Sequence, residues 1–272
     1  MSITQEGNLL SFPINIAKTI KHLRKDMVDD WFYDTVGYED LLSNPSSLFK
    51  ILQKNLETNH GLYQSGSKTI YDVPKNPLGL RYTLEIDFYD RFIYQAICTF
   101  LVPFFDPLLS PSVLSHRYDK HGDKGLLFRN PIDMWDTFQN ISHSAIVDGQ
   151  CLLITDLLNY FEHISIASVE NAFIGMMSKI EASGGEKNTI RSAITTLKAL
   201  LEKWCFNEHH GLPQNRDASS FIANVVLDSV DKRMKAAGYD YWRYVDDIRI
   251  TCANDAEAKR ALNAWLFRVL CG

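Results

Sequence analysis

Residues 239–252 read YDYWRYVDDIRITC. Tyr241, Trp242 and Tyr244 precede the aspartate pair and Ile248, Ile250 and Cys252 follow it, so two β-rich stretches meet at 245–247 and predict a tight hairpin. Asp246 and Asp247 then stand at its tip. Adjacent carboxylates at one solvent-facing turn repel each other, which is costly unless a cation lies between them. By itself an Asp-Asp in a hairpin is most often only a polar turn. A second stretch upstream changes that reading: 151–155 is CLLIT, an unbroken apolar run that predicts a strand ending on Asp156. A carboxylate leaving the end of a buried strand can project toward the same ions, so Asp156, Asp246 and Asp247 form a candidate two-cation site. The plainer role for Asp156, capping a helix that starts at Leu158, is compatible with this one.

Outward from these stretches, helical spacing at 14–27 and 46–56 predicts an N-terminal helical layer. The segment SGSKTIYDVPKNPLG (65–79) reads as a loop on its Gly, Pro and Asn punctuation, and RYTLEI (81–86) as a strand. Asp87 offers an N-cap to a helix that carries Phe88, Phe92, Ile93, Ala96, Ile97 and Phe100 on one apolar face and ends near Pro103. Another helix follows Pro131, and Gly149 breaks the pattern before 151. Amphipathic helices are predicted at 168–180 and 187–204 with Gly184 and Gly185 between them, then at 221–236, and over roughly the last sixteen residues. The fold class is α+β. Its expected regions are a helical 1–79, then 80–149, then 150–272. Internal repeats and low-complexity tracts are absent from the sequence.

The 272 residues are 46% hydrophobic and 12% aromatic, enough to bury one large core or two modest ones. No window approaches the roughly 18 uncharged apolar residues of a membrane span. The start, MSITQEGNLLSF, lacks a secretory build, so the expected location is the cytoplasm. Five scattered cysteines, none in a CxxC pair, suggest neither a zinc site nor a disulfide framework. A net charge of −5 argues mildly against a nucleic-acid binder. Two things weaken that objection: an acidic metal cluster lowers the total, and cations gather locally in SHRYDKHGDKGLLFR (115–129).

In four stretches the sequence resembles prokaryotic reverse transcriptases of the group II intron and retron kind. ITDLLNYFEHISI (154–166) resembles their first catalytic motif, GLPQNRDASSFIANVVL (211–227) their nucleotide-binding loop and helix, RYVDDIRI (243–250) their catalytic hairpin, and RYTLEIDFYDRFIYQAI (81–97) a fingers motif in which an Asp-Arg pair precedes a helix. Order and spacing agree, and the resemblance covers roughly 80–270. DRFIYQA, LPQNRDASSFIANVVLDSVD and YWRYVDDIRI look most like the abortive-infection and phage-defence branch. The resemblance implies right-hand polymerase fingers at 80–149 and palm at 150–272, an antiparallel palm sheet with helices on one face, and RNA-directed DNA polymerase activity in antiviral defence. It implies two Mg²⁺ ions, replaceable by Mn²⁺, on Asp156, Asp246, Asp247 and the carbonyl of Leu157. Phe161 would exclude a ribose 2′-hydroxyl, and Gln214 would lie beneath the incoming base pair. Ser219 and Asn224 would line the template side, Tyr244 would pack near the primer end, and Arg117 with Lys124 would meet the triphosphate. A bland reading stands beside each: core aromatics for Phe161, Tyr160 and Tyr244, and a solvated loop for Arg117 and Lys124. Asn215 stands where glycine is typical and Ser220 where proline is frequent.

The implied partners are dNTPs, an RNA template or DNA product, a non-coding RNA or protein primer, and a second subunit; no membrane is implied. In this family a primer grip and a helical thumb follow the hairpin, and the sequence ending at Gly272 carries the expectation that both are missing. Two other classes compete. One is a palm-bearing nucleic-acid-binding or assembly subunit without turnover. The other is a palm-fold nucleotidyl cyclase, which would need a purine pocket in place of the LPQ loop.

Overall fold

A computed structural model of the chain describes residues 6–7, 10–30, 38–75, 79–121, 126–147, 149–214 and 216–270. A short antiparallel pair, β1 (Glu6–Gly7) and β2 (Ile14–Asn15), leads into α1 (Ile16–Asp26), whose first turn is capped by the Asn15 side chain accepting from the Lys18 amide. Ile16, Ile20 and Leu23 give α1 its buried stripe. After α2 (Glu39–Leu42), α3 (Pro45–Thr58) starts at a proline behind an Asn44 cap and buries Leu48, Leu52 and Leu56 at intervals of four.

Next comes a ribbon that the sequence half conceals. β3 (Lys68–Lys75) pairs antiparallel with β4 (Gly79–Ile86) from Lys68↔Ile86 to Lys75↔Gly79, so most of the stretch read as loop is strand. Pro74 is tolerated because β3 is an edge strand. α4 (Phe88–Phe105) is capped by Asp87 as expected, but it continues past Pro103 and is buried on nearly every side rather than along one face. The Asp90-Arg91 pair lies inside its first turns, not before it.

α5 (Pro131–Val147) precedes β5 (Cys151–Thr155), followed by α6 (Tyr160–His163), α7 (Ile166–Met176), α8 (Gly184–Trp204), α9 (Asp217–Ala236), β6 (Asp240–Tyr244), β7 (Asp247–Cys252) and α10 (Asp255–Leu270). The glycines read as a separator open α8, behind a Ser183–Glu186 capping box. β5, β7 and β6 form one antiparallel sheet in that order, with β7 central. Tyr241, Ile248, Ile250 and Cys252 point to a small core shared with Met234, Ala261 and Trp265 of α9 and α10. The other face is also covered: Tyr244 and Arg249 lie against Phe138 of α5. Helices therefore pack on both faces, where one was expected. β5 is an outer strand and only half-buried, with Ile154 63% exposed, so the unbroken apolar run CLLIT is less buried than its composition suggested. A larger core joins α1, α3, α4, α7, α8 and the first half of α9. Because α9 contributes to both cores, it fixes the sheet against the helical layer. Among the described residues no helix is long and apolar enough to cross a membrane.

Candidate active site

The β6–β7 turn consists of Val245 and Asp246, flanked by the pair Tyr244↔Asp247. Val245 has φ +54°, a left-handed conformation rarely taken by a β-branched residue. Both of its backbone polar groups are held: the amide donates to Ser115 Oγ (2.9 Å) and the carbonyl accepts from Arg243 Nη1 (2.7 Å). On the neighbouring strand Thr155 pairs with Ile248, so the register carried one residue further sets Asp156 opposite Asp247. Asp246 and Asp247 both sense the Asp156 charge. Burial and the Asp156 charge push Asp246 above the usual carboxylate range, against its own backbone hydrogen bond and the Arg81 and Arg243 charges. Asp247 is pushed up by burial, by Asp246 and by Asp156, with Arg249 opposing.

Asp156, Leu157 and Asp246 line a cavity of about 560 Å³ together with Phe161 and Gln214. The local chain explains this convergence. Asn159, at φ +51°, turns the chain out of β5 into α6, which carries Phe161. The Phe161 carbonyl accepts from the Leu212 amide (2.9 Å) and the Ile164 carbonyl from the Gly211 amide (2.9 Å), so the 211–214 loop docks on α6. Gly211 has φ +98°, and a Cβ there would meet the Phe206 Cβ at 2.5 Å, so no other residue fits. Gln214 Nε2 donates to the Tyr82 carbonyl (2.7 Å), joining that loop to β4.

Other expected residues lie elsewhere. Arg117 is not among the residues lining the cavity: its guanidinium bonds Asp106 Oδ1 (2.9 Å) and the carbonyls of Ser110, Val113 and Asp106, and it is almost enclosed. Ser219 is fully buried between the Tyr94 hydroxyl (2.8 Å) and the Pro213 carbonyl, and Asn224, also fully buried, bonds the Ser115 carbonyl and Arg243. Neither is on an exposed surface, because α9 is packed there against α4 and the hairpin. Tyr244 is turned onto α5, against Trp135 and Phe138, with its hydroxyl on the Pro131 carbonyl (3.2 Å). Lys124 and Asn215 lie outside the described residues. Ser220 keeps the amide bond to the Arg216 carbonyl (3.1 Å) that a proline would lack.

The cavity also has a wall that the sequence did not announce. Lys25, Arg81 and Arg129 line it, and among the described residues Lys25 and Arg129 have no side-chain partner. Behind them, Arg216 bonds Glu85 (2.5 and 2.6 Å) and Asp30 (2.8 Å), and Arg91 bonds Asp30 (2.6 and 3.0 Å). Asp217 faces His22 Nε2 (2.9 Å) and His116 Nε2 (3.0 Å). Burial alone would raise Asp217, but His116 and His22 hold it well below the usual range, while burial and Asp217 push Asp26 up. No pattern in the linear sequence marks these residues as neighbours, since they meet only when α1, β4, α4 and α9 pack.

A hard divalent cation suits this donor set, which is all oxygen and mutually repelled. Among the described residues, no three His, Cys, Asp or Glu side chains are grouped so that they could hold a metal ion between them.

Comparison with known proteins finds no matching family model and no matching curated protein. Among solved structures the chain is similar to chains described as "Partial Cas6-RT-Cas1--Cas2 complex" and "Cas6-RT-Cas1--Cas2 complex". Each match has 18% identity and a TM-score of 0.41 over 92% of this chain, and spans only 39% and 24% of the other chains' length. A likeness this distant assigns no activity to the chain.

Proposed function

We propose that the chain is the fingers and palm part of a reverse transcriptase that adds dNTPs by two-metal nucleotidyl transfer. The observation that carries this reading is the cavity that Asp156 and Asp246 line together with Phe161, Gln214 and the unpaired cations Lys25 and Arg129. Carboxylates and free cations in one cavity suit a ligand that is itself a polyanion bridged by metal. Asp156, Asp246, Asp247 and the Leu157 carbonyl would hold two Mg²⁺ ions, or Mn²⁺, which when bound supply Lewis acidity to a primer 3′-hydroxyl and to the triphosphate. Lys25 and Arg129 bind and orient phosphate oxygens. Gln214 supports the base pair from the loop docked on α6, and Phe161 closes the space under the sugar. Templating by RNA, priming by a non-coding RNA or protein, and a place in phage defence rest on the motif resemblance alone.

A second reading, a palm-bearing binding subunit without turnover, draws on the lack of a preformed ion cage among the described residues. One assay separates the two. Each labelled dNTP is incubated with the protein and Mg²⁺ or Mn²⁺, with and without primed RNA. Incorporation is expected for the wild type and its loss for Asp246→Asn, with the melting temperature unchanged or higher because a repelled carboxylate has been removed. Equal incorporation by both proteins overturns the metal assignment, and none by the wild type favours the binding subunit.

A further inference from the structure

Among the described residues, Val245 adopts the least comfortable backbone for its side chain, and it directly precedes Asp246. Four hydrogen bonds close a ring around it. Its amide donates to Ser115 Oγ (2.9 Å), and the Ser115 carbonyl accepts from Asn224 Nδ2 (2.9 Å). Asn224 Oδ1 accepts from Arg243 Nη1 (2.8 Å), which also donates to the Val245 carbonyl (2.7 Å). Arg243 cannot swing away. Its Nε and Nη2 grip Asp231 at 2.9 and 2.6 Å, both side chains are 0% exposed, and the Tyr241 hydroxyl donates to the same carboxylate (2.8 Å). The segment that carries Ser115 is fixed as well, through the Arg243 amide on the Ser112 carbonyl and the Leu114 amide on the Arg243 carbonyl, each 3.0 Å.

We infer that Ser115, Asn224 and Arg243 form a clamp that holds Val245 left-handed and thereby sets the position of Asp246, with Ser115 as the replaceable member and positioning residue. The use of that position rests on the reading of Asp246 as a metal ligand. The clamp itself does not. A two-residue hairpin turn prefers residues that accept positive φ, usually Asn, Asp or Gly, and none of these is at 245. Strain of this kind persists only where the surroundings over-determine it. A hydroxyl whose sole described partner is the amide of the strained residue is such a surrounding.

The test is a thermal-melt cycle on the full chain with wild type, Ser115→Ala, Val245→Gly and the double variant, followed by Mn²⁺ titration of each. Glycine at 245 adopts the same φ without strain and so needs the clamp less. Ser115→Ala should lower the melting temperature in the valine background and by less than half as much in the glycine background. It should also weaken Mn²⁺ binding about tenfold, or about 1.4 kcal/mol, with Ser115→Thr restoring it. Equal melting losses in both backgrounds overturn the clamp, and so does unchanged Mn²⁺ affinity in Ser115→Ala. If Ser115→Ala does not fold, Ser115→Cys, which replaces the hydroxyl oxygen by a poorer acceptor, carries the same comparison in both valine and glycine backgrounds. Melting coupling without Mn²⁺ binding by the wild type supports the clamp and refutes the metal reading of Asp246 instead.

Discussion

Phe161 is half-buried, its carbonyl anchors the Gln214 loop and it lines the cavity with Asp156, so on the proposed reading one residue would link packing to substrate shape. A rigid ring beneath a sugar leaves room for hydrogen but not for a hydroxyl, and such a clash costs a few kcal/mol, each 1.4 kcal/mol being about a factor of ten. Phe161→Ala should therefore lower the preference for a matched dNTP over its rNTP by at least about tenfold. The change belongs in the ratio of kcat/KM values. Some stability will also be lost with the ring, but a common loss of folded protein scales both rates alike and leaves the ratio untouched. An unchanged ratio would assign Phe161 to packing alone. Asn224 shows the opposite lesson: a polar residue at a suggestive place on a helix turns out to serve the interior, where its amide satisfies Arg243 and a loop carbonyl at once.

Elements differ in how much of themselves the sequence exposes. The β6–β7 hairpin was legible because its signal is local: alternating apolar residues on both sides of two aspartates. Asp156 was legible as the end of a strand, though not as the end of an edge strand, since burial depends on which neighbours arrive. β3 was hidden for a similar reason, because Pro74 and the glycines looked like loop and only pairing with β4 makes the stretch extended. The ion network beneath the cavity left no trace in the sequence, yet it ties the 3-10 turn Met27–Asp29 after α1, β4, α4 and α9 together through Asp30, Glu85, Arg91 and Arg216. Removing one member of such a buried group leaves the others uncompensated, at about 3–5 kcal/mol. Arg216→Ala should lose at least about 3 kcal/mol by chemical denaturation, whereas Lys198→Ala, which breaks the exposed pair with Glu170, should lose under about 1 kcal/mol. Similar losses for the two variants would mean that the network is not the joint between these elements.

Over the whole molecule, a net charge of −5 coexists with cations at the cavity, where Lys25 and Arg129 lie among acidic residues that include Asp156 and Asp246. On the proposed reading, Asp156 and Asp246 would repel a bare triphosphate in this cavity while Lys25 and Arg129 would attract it. Mg²⁺ alone would meet carboxylates that, among the described residues, form no group of three able to hold it. Each ligand thus supplies what the other lacks, and their binding free energies must be coupled reciprocally. A ligand present at about 100 times its dissociation constant stabilises a fold by about 2.7 kcal/mol, which for a chain of this size is a rise of roughly 5–10 °C in melting temperature. Saturating dNTP with Mg²⁺ should produce a shift of that order, dNTP or Mg²⁺ alone much less than half of it, and Asp246→Asn should abolish the joint part. Lys25→Ala with Arg129→Ala should weaken the nucleotide's share and leave Mg²⁺ alone as before. Additive shifts from the two ligands, or a full joint shift in Asp246→Asn, would place the nucleotide somewhere other than in this cavity.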